Sequence, residues 1–157
     1  MMIRPGAEMH FQTLNEAIRS TPDTDVMIEN CLGQRYIGAG LSGKTIVING
    51  TPGNALGAYL DGCTIHVHGN SQEATGDTMN EGTIYVHGNA GDATGYAMRG
   101  GKIFIEGNSG YRTGIHMKAF QEKIPVLVVG GITGSFLGEY QAGGYIVVLD
   151  LNHQSIE

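Results

Sequence analysis

The feature that most constrains this chain is a self-similarity at a fixed period of 19 residues. Gly50, Gly69, Gly88 and Gly107 recur at that step, as do Gly57, Gly76, Gly95 and Gly114, and Leu60 falls onto Met79, Met98 and Met117. Copies held in one register are copies of one structural unit, each too small to bury its own apolar face. Every copy holds a short β-branched run, at 45–48, 64–67, 83–86 and 102–105. Side chains alternate along a strand, so Ile46/Ile48, Ile65/Val67, Ile84/Val86 and Ile103/Ile105 each share one face. At about 3.3 Å per residue, one copy cannot cross a sheet and return through a helix, which excludes a βαβ unit. It can make one rung of a coil whose strands stack about 4.8 Å apart. The expected fold is all-β, a parallel β-helix.

In such a coil each rung turns at the same places. Glycine at a corner tolerates positive φ and lets backbones stack without a Cβ between them. Gly50, Gly69, Gly88 and Gly107 would form one such ladder, and Gly57, Gly76, Gly95 and Gly114, continued by Gly138, another. The column Leu60, Met79, Met98, Met117 reads as core, its thioethers filling irregular space. The 26 glycines among 157 residues are periodic, which separates them from linker composition. A net charge of −6 supplies no basic footprint for nucleic acid. Cys31 and Cys63 stand alone without CxxC spacing, so neither a disulfide framework nor a zinc site is expected. No apolar run is long enough to span a bilayer and no signal peptide is visible, so the expected location is the cytoplasm.

Taken in order, the chain divides into a lead-in with a short helix (1–25), the repeats (26–150) and a polar tail (151–157). The first residues read as a loose end. Phe11, Leu14 and Ile18 fall near one helical face over 11–19, with Thr13 and Glu16 at capping-box spacing. Nine residues cannot hold a helix in water, so this one is expected to lie on the coil and cover an end. The first strand is expected at 26–28. The register breaks after Gly114: Gly131 and Gly138 come 24 residues after Gly107 and Gly114, which places a five-residue insertion, a bulging loop, around 118–123. Beyond it, 126–129 and 145–149 are apolar on both faces, so something is expected to pack outside the last rungs: the helix, another copy of the chain, or a different protein.

Several motifs could carry chemistry. Gly38 to Thr45 satisfies GxxxxGK[ST], and Tyr145 to Asp150 offers an apolar strand ending in Asp. A phosphate-binding loop needs a helix starting at its lysine. Here a β-branched run follows Lys44, and Gly43–Ile46 are in register with the other rung corners, so a corner is the favoured reading. His68 and His87 are one period apart in a column with Asn49 and Glu106, and His66 lies two residues from His68. Two histidines and Glu106 are weak metal-ligand candidates; a solvated polar ladder is the plainer reading. The adjacent column of Val47, His66, Tyr85 and Phe104 places apolar groups on a face that should be wet, which suggests a cover, either the N-terminal helix or a partner. No nucleophile has a visible base, and no carboxylate pair at repeat spacing supports glycoside hydrolysis.

The stretches GLSGKTIVI, GNAGDATGYAMRGGKIFIEGNSGYRTGIHMK, PVLVVGG and FLGEYQAGGYIVVL resemble the GxGxG domain at the C-terminus of the glutamate synthase large chain, and its stand-alone subunit form. The likeness runs from Val26 to Leu149, and HFQTLNEA at His10–Ala17 is similar to the lead-in of the stand-alone form. It implies a right-handed parallel β-helix with a scaffolding role and no catalytic residue of its own. By the same resemblance the partners are a glutaminase-type amidotransferase and an FMN-binding synthase subunit. Ammonia passes between them, and the FMN and iron–sulfur cluster reside on the synthase subunit. The chain begins Met-Met rather than with the amidotransferase cysteine, and two cysteines cannot ligate an iron–sulfur cluster. It stops soon after Leu149, where the resemblance implies that the family continues, so the last rungs are expected either to be completed by a partner or to be missing. The repeat is also similar to that of the C subunit of formylmethanofuran dehydrogenase, which ranks second.

Overall fold

The structure, a computed structural model, describes residues 1–154; of the expected polar tail, residues 155–157 lie outside the described residues. One helix, α1 (Phe11–Ser20), and eight strands are present: β1 (Met2–Ile3), β2 (Asp25–Leu32), β3 (Thr45–Thr51), β4 (Asp61–His68), β5 (Glu81–Val86), β6 (Lys102–Ile105), β7 (Val126–Val129) and β8 (Tyr145–Val148). All eight belong to one sheet in chain order, every pair parallel. A parallel sheet in which each strand pairs only with its sequence neighbours, with no helix in any connection from β2 onward, is a β-helix.

The register follows the repeat. Ile46, Ile65, Ile84 and Ile103 are paired in series, then Leu127 and Ile146. The first five of these are fully buried, as are Leu60, Met79, Met98 and Met117 across the coil. The core is therefore a continuous apolar column along the axis. Sequence reasoning missed a polar vein within it: Thr75, Thr94 and Thr113 are fully buried. Their hydroxyls donate to the carbonyls of Gln72, Gly91 and Gly110 at 3.2, 3.0 and 3.1 Å, which satisfies them locally.

The two glycine ladders exist for different reasons. Gly57, Gly76, Gly95, Gly114 and Gly138 have φ between 62° and 71°, as expected of corners. In the other ladder Gly88 and Gly107 are not left-handed, which corrects the corner reading of that column. Close approach is the reason there: a Cβ on Gly88 would meet the Asn70 side-chain oxygen and, at 2.6 Å, the Gly69 carbonyl. That space serves a ladder in which Asn70 Oδ1 accepts the Asn89 N–H at 2.8 Å and Asn89 Oδ1 the Asn108 N–H at 2.8 Å.

Each turn-rich arm carries left-handed residues on both sides of its glycine as well. Ala55 and Tyr59 flank Gly57, Ala93 and Ala97 flank Gly95, and Arg112 and His116 flank Gly114, all with positive φ. The purpose is visible in the bonding. The N–H of Ala55 donates forward to Glu73, that of Gly57 back to Ile37, and that of Tyr59 forward to Asp77, at 2.8–2.9 Å. Alternating backbone hand turns successive peptides toward opposite rungs, so every rung ties to both neighbours.

The N-terminus is not loose, contrary to the sequence expectation. β1 pairs with β2, and the terminal ammonium donates to the Asp25 carbonyl and pairs with Asp23, both at 3.0 Å. The expected capping box is not used: His10 is the N-cap, and its Nδ1 accepts the Gln12 N–H at 3.2 Å. Helix α1 takes the place of the turn-rich arm between β1 and β2. It sends Leu14 and Ile18, both fully buried, into the core cluster and so closes that end of the coil. The insertion folds into a tight turn bridged at Phe120 and Lys123, with Arg99 stacked 3.9 Å from the Phe120 ring and Lys123 paired with Glu81 at 2.9 Å.

Candidate functional site

The residues singled out by the sequence gather on the outer face of the sheet. Met27, Val47, His66, Tyr85, Phe104, Val128 and Val147 are paired in strict series across β2 to β8. Stacked strands hold their side chains one above another, so rings lie face to face: His66 on Tyr85 at 4.6 Å and Tyr85 on Phe104 at 5.2 Å between centroids. Val47, Tyr85 and Phe104 are half-buried by these neighbours alone. Helix α1 does not cover them. It lies instead beside the first arm, where Asn15 donates to the Arg35 carbonyl at 2.9 Å and Phe11 contacts Tyr36.

Beside this column runs the polar one. His68 and His87 stack at 4.8 Å, and His87 Nδ1 lies 3.5 Å from Glu106 Oε2. Parallel stacking presents ring faces, not nitrogen lone pairs, to one another. Among the described residues no group of three or more His, Cys, Asp or Glu is arranged to hold a metal ion. Burial, with His87 and His68 adding to it, lowers the His66 pKa from its ordinary 6.5. Where Tyr85 and Phe104 meet Val128, Leu149 and Leu151, the face deepens into an apolar groove of about 280 Å³. At β8 the cover expected for the last rungs is absent among the described residues: Tyr145, Val147 and Val148 are exposed and Ile146 is only partly buried.

The GxxxxGK[ST] match is a rung corner. No helix follows it, since β3 starts at Thr45, and the Lys44 ammonium donates to the Thr21 and Asp23 carbonyls at 2.9 and 2.7 Å. Lys44 therefore fastens the exit of α1 rather than facing a phosphate. Both thiols are fully buried, and burial raises the Cys63 pKa and pushes Cys31 up to about 11.

No helix among the described residues is long and apolar enough to cross a membrane. The GXGXG motif family model matches residues 6–156. An uncharacterized protein of Methanocaldococcus jannaschii is 50% identical over 154 residues, covering 94% of this chain. The chain spans 59% of that relative's length. No solved structure matches. With the glycine ladders and the stacked rungs that they permit, a match over nearly the whole chain leads to one conclusion: the chain belongs to the GXGXG motif family.

Proposed function

We propose that this chain is a non-catalytic assembly module of a glutamate synthase in the cytoplasm, holding a glutaminase-type amidotransferase and an FMN- and iron–sulfur-bearing synthase subunit in relation. The observation that carries the reading is the match of residues 6–156 to one family model. Within that stretch β2 to β8 form the consecutive rungs of one β-helix, and the histidine column is stacked on its surface. The aromatic column of Tyr85 and Phe104 and the apolar groove beside it supply what a partner would cover: contiguous apolar surface rimmed by polar groups. Rigid rungs would hold two docked partners at a fixed separation. FMN and the cluster belong to the synthase subunit in this reading.

The test is co-purification of the tagged chain from its native extract, with mass spectrometry of the captured proteins. An amidotransferase and an FMN-binding synthase subunit are the expected catch. Phe104→Asp should release them while leaving the far-ultraviolet circular dichroism unchanged. Capture of formylmethanofuran dehydrogenase subunits would replace the proposal with that complex. An empty eluate from an extract active in glutamate synthesis would overturn both.

A further inference from the structure

The residue following each Leu60-type position forms a column of its own: Asp61, Asn80, Arg99, Lys118. Backbone bonds fix its register. The N–H groups of these four donate to Leu41, Leu60, Met79 and Met98 at 2.9–3.0 Å. The column therefore changes sign along the axis and sets Arg99 and Lys118 on neighbouring rungs, about 4.8 Å apart. Like charges so placed repel. Among the described residues no carboxylate forms an ion pair with either. The Arg99 guanidinium stacks on Phe120, which uses its face and leaves its in-plane N–H fork unbound, and Lys118 has no partner among the described residues. Lys123, in contrast, is paired with Glu81.

The two cations share a cleft of about 300 Å³ with Thr78, His116, Ala119 and Phe120. The wall made by Ala119 and Phe120 belongs to the five-residue insertion, and the Lys123–Glu81 pair pins it. Thr78 is half-buried and gives its hydroxyl proton to Asp77 at 2.8 Å, so it contributes no donor to the cleft; His116 stacks on Tyr140 at 5.0 Å with its nitrogens unbound. Among the described residues no carboxylate lines the cleft, although the chain carries a net charge of −6.

We propose that this cleft is a binding site for a small multiply charged oxyanion, a phosphate or a polycarboxylate, gripped by the Arg99 fork and the Lys118 ammonium. A planar guanidinium fork matches the paired oxygens of either group, and Lys118 adds a point charge from the next rung. The volume suits a small ligand at the lower end of ordinary sites.

The test is isothermal titration of the whole chain with pyrophosphate and, separately, citrate at matched ionic strength, with amide chemical-shift mapping. Submillimolar binding of at least one, with shifts confined to the Arg99 and Lys118 rungs, is the expected result, and the preferred anion tells phosphate from carboxylate. Lys118→Gln and Arg99→Gln should each weaken binding about tenfold or more, as loss of a charge-assisted bond implies. Lys102→Gln, on the strand side, should leave it unchanged. Without added anion, Lys118→Gln should raise the urea midpoint, because it removes the repulsion. Absence of heat and shifts with both anions at millimolar concentration, or equal affinity in wild type and both cleft variants, would overturn the proposal.

Discussion

At the scale of the residue, the arms show that glycine content and left-handed backbone are separate quantities. Gly95 needs both the conformation, at φ 71°, and the space, since a Cβ would lie 2.6 Å from Leu127 Cδ1. Gly95→Ala is therefore expected to cost about 2–4 kcal/mol, combining the left-handed penalty with overpacking. Its neighbour Ala93 is equally left-handed, at φ 55°. Ala93→Gly relieves about 1–2 kcal/mol of strain against about 0.5–1 kcal/mol of extra chain entropy, so it should be neutral to slightly stabilising. Urea unfolding of the two variants checks both signs. The sequence made the Gly95 column legible because glycine recurs there. It hid the flanking columns, where alanine, tyrosine, threonine, arginine and histidine adopt the same hand and their N–H groups donate to the next rung. The buried hydroxyls of Thr75, Thr94 and Thr113 were hidden likewise, since threonine is as usual on a strand's wet face as inside a corner.

At the scale of the element, the register of the apolar runs from β3 to β6 was legible, because a one-residue slip would turn Ile46, Ile65, Ile84 and Ile103 out of the core; the 20-residue step from Val26 to Ile46 and the shift after Ile28 were not. Helix α1 was legible as an apolar face and a stop, but not in its cap. His10 satisfies Gln12 with a ring nitrogen, a geometry that no spacing rule anticipates. Leu14→Ala, which hollows the plug, should cost about 2–5 kcal/mol by the same measurement. The outer column makes a pH prediction. His66 is held neutral by burial and by His87 and His68, so its folded pKa lies below the unfolded 6.5. The unfolded chain binds the proton first as pH falls. Stability present above pH 6.5 is then lost progressively below it, toward the folded value. Urea midpoints at neutral and mildly acidic pH should show a smaller loss for His66→Phe, which keeps the stack on Tyr85 and removes the titration.

At the scale of the whole molecule, the two ends of the coil differ. The β1 end is sealed by α1 and clamped by Lys44 and the N-terminal ammonium, whereas β8 has one paired edge and an exposed strand among the described residues. Each rung touches only the rungs before and after it, so the molecule behaves as a one-dimensional stack of coupled units. Such a stack, tied at one end and with an exposed strand at β8 among the described residues, has a direction. Opening should start at β8 and travel inward rung by rung, as a zip runs from its loose end. Native-state hydrogen exchange would then read as a ramp of protection, lowest at Val147 and rising toward Ile65, rather than a single plateau. Whatever settles on the last rung would stiffen amides several rungs away without touching them.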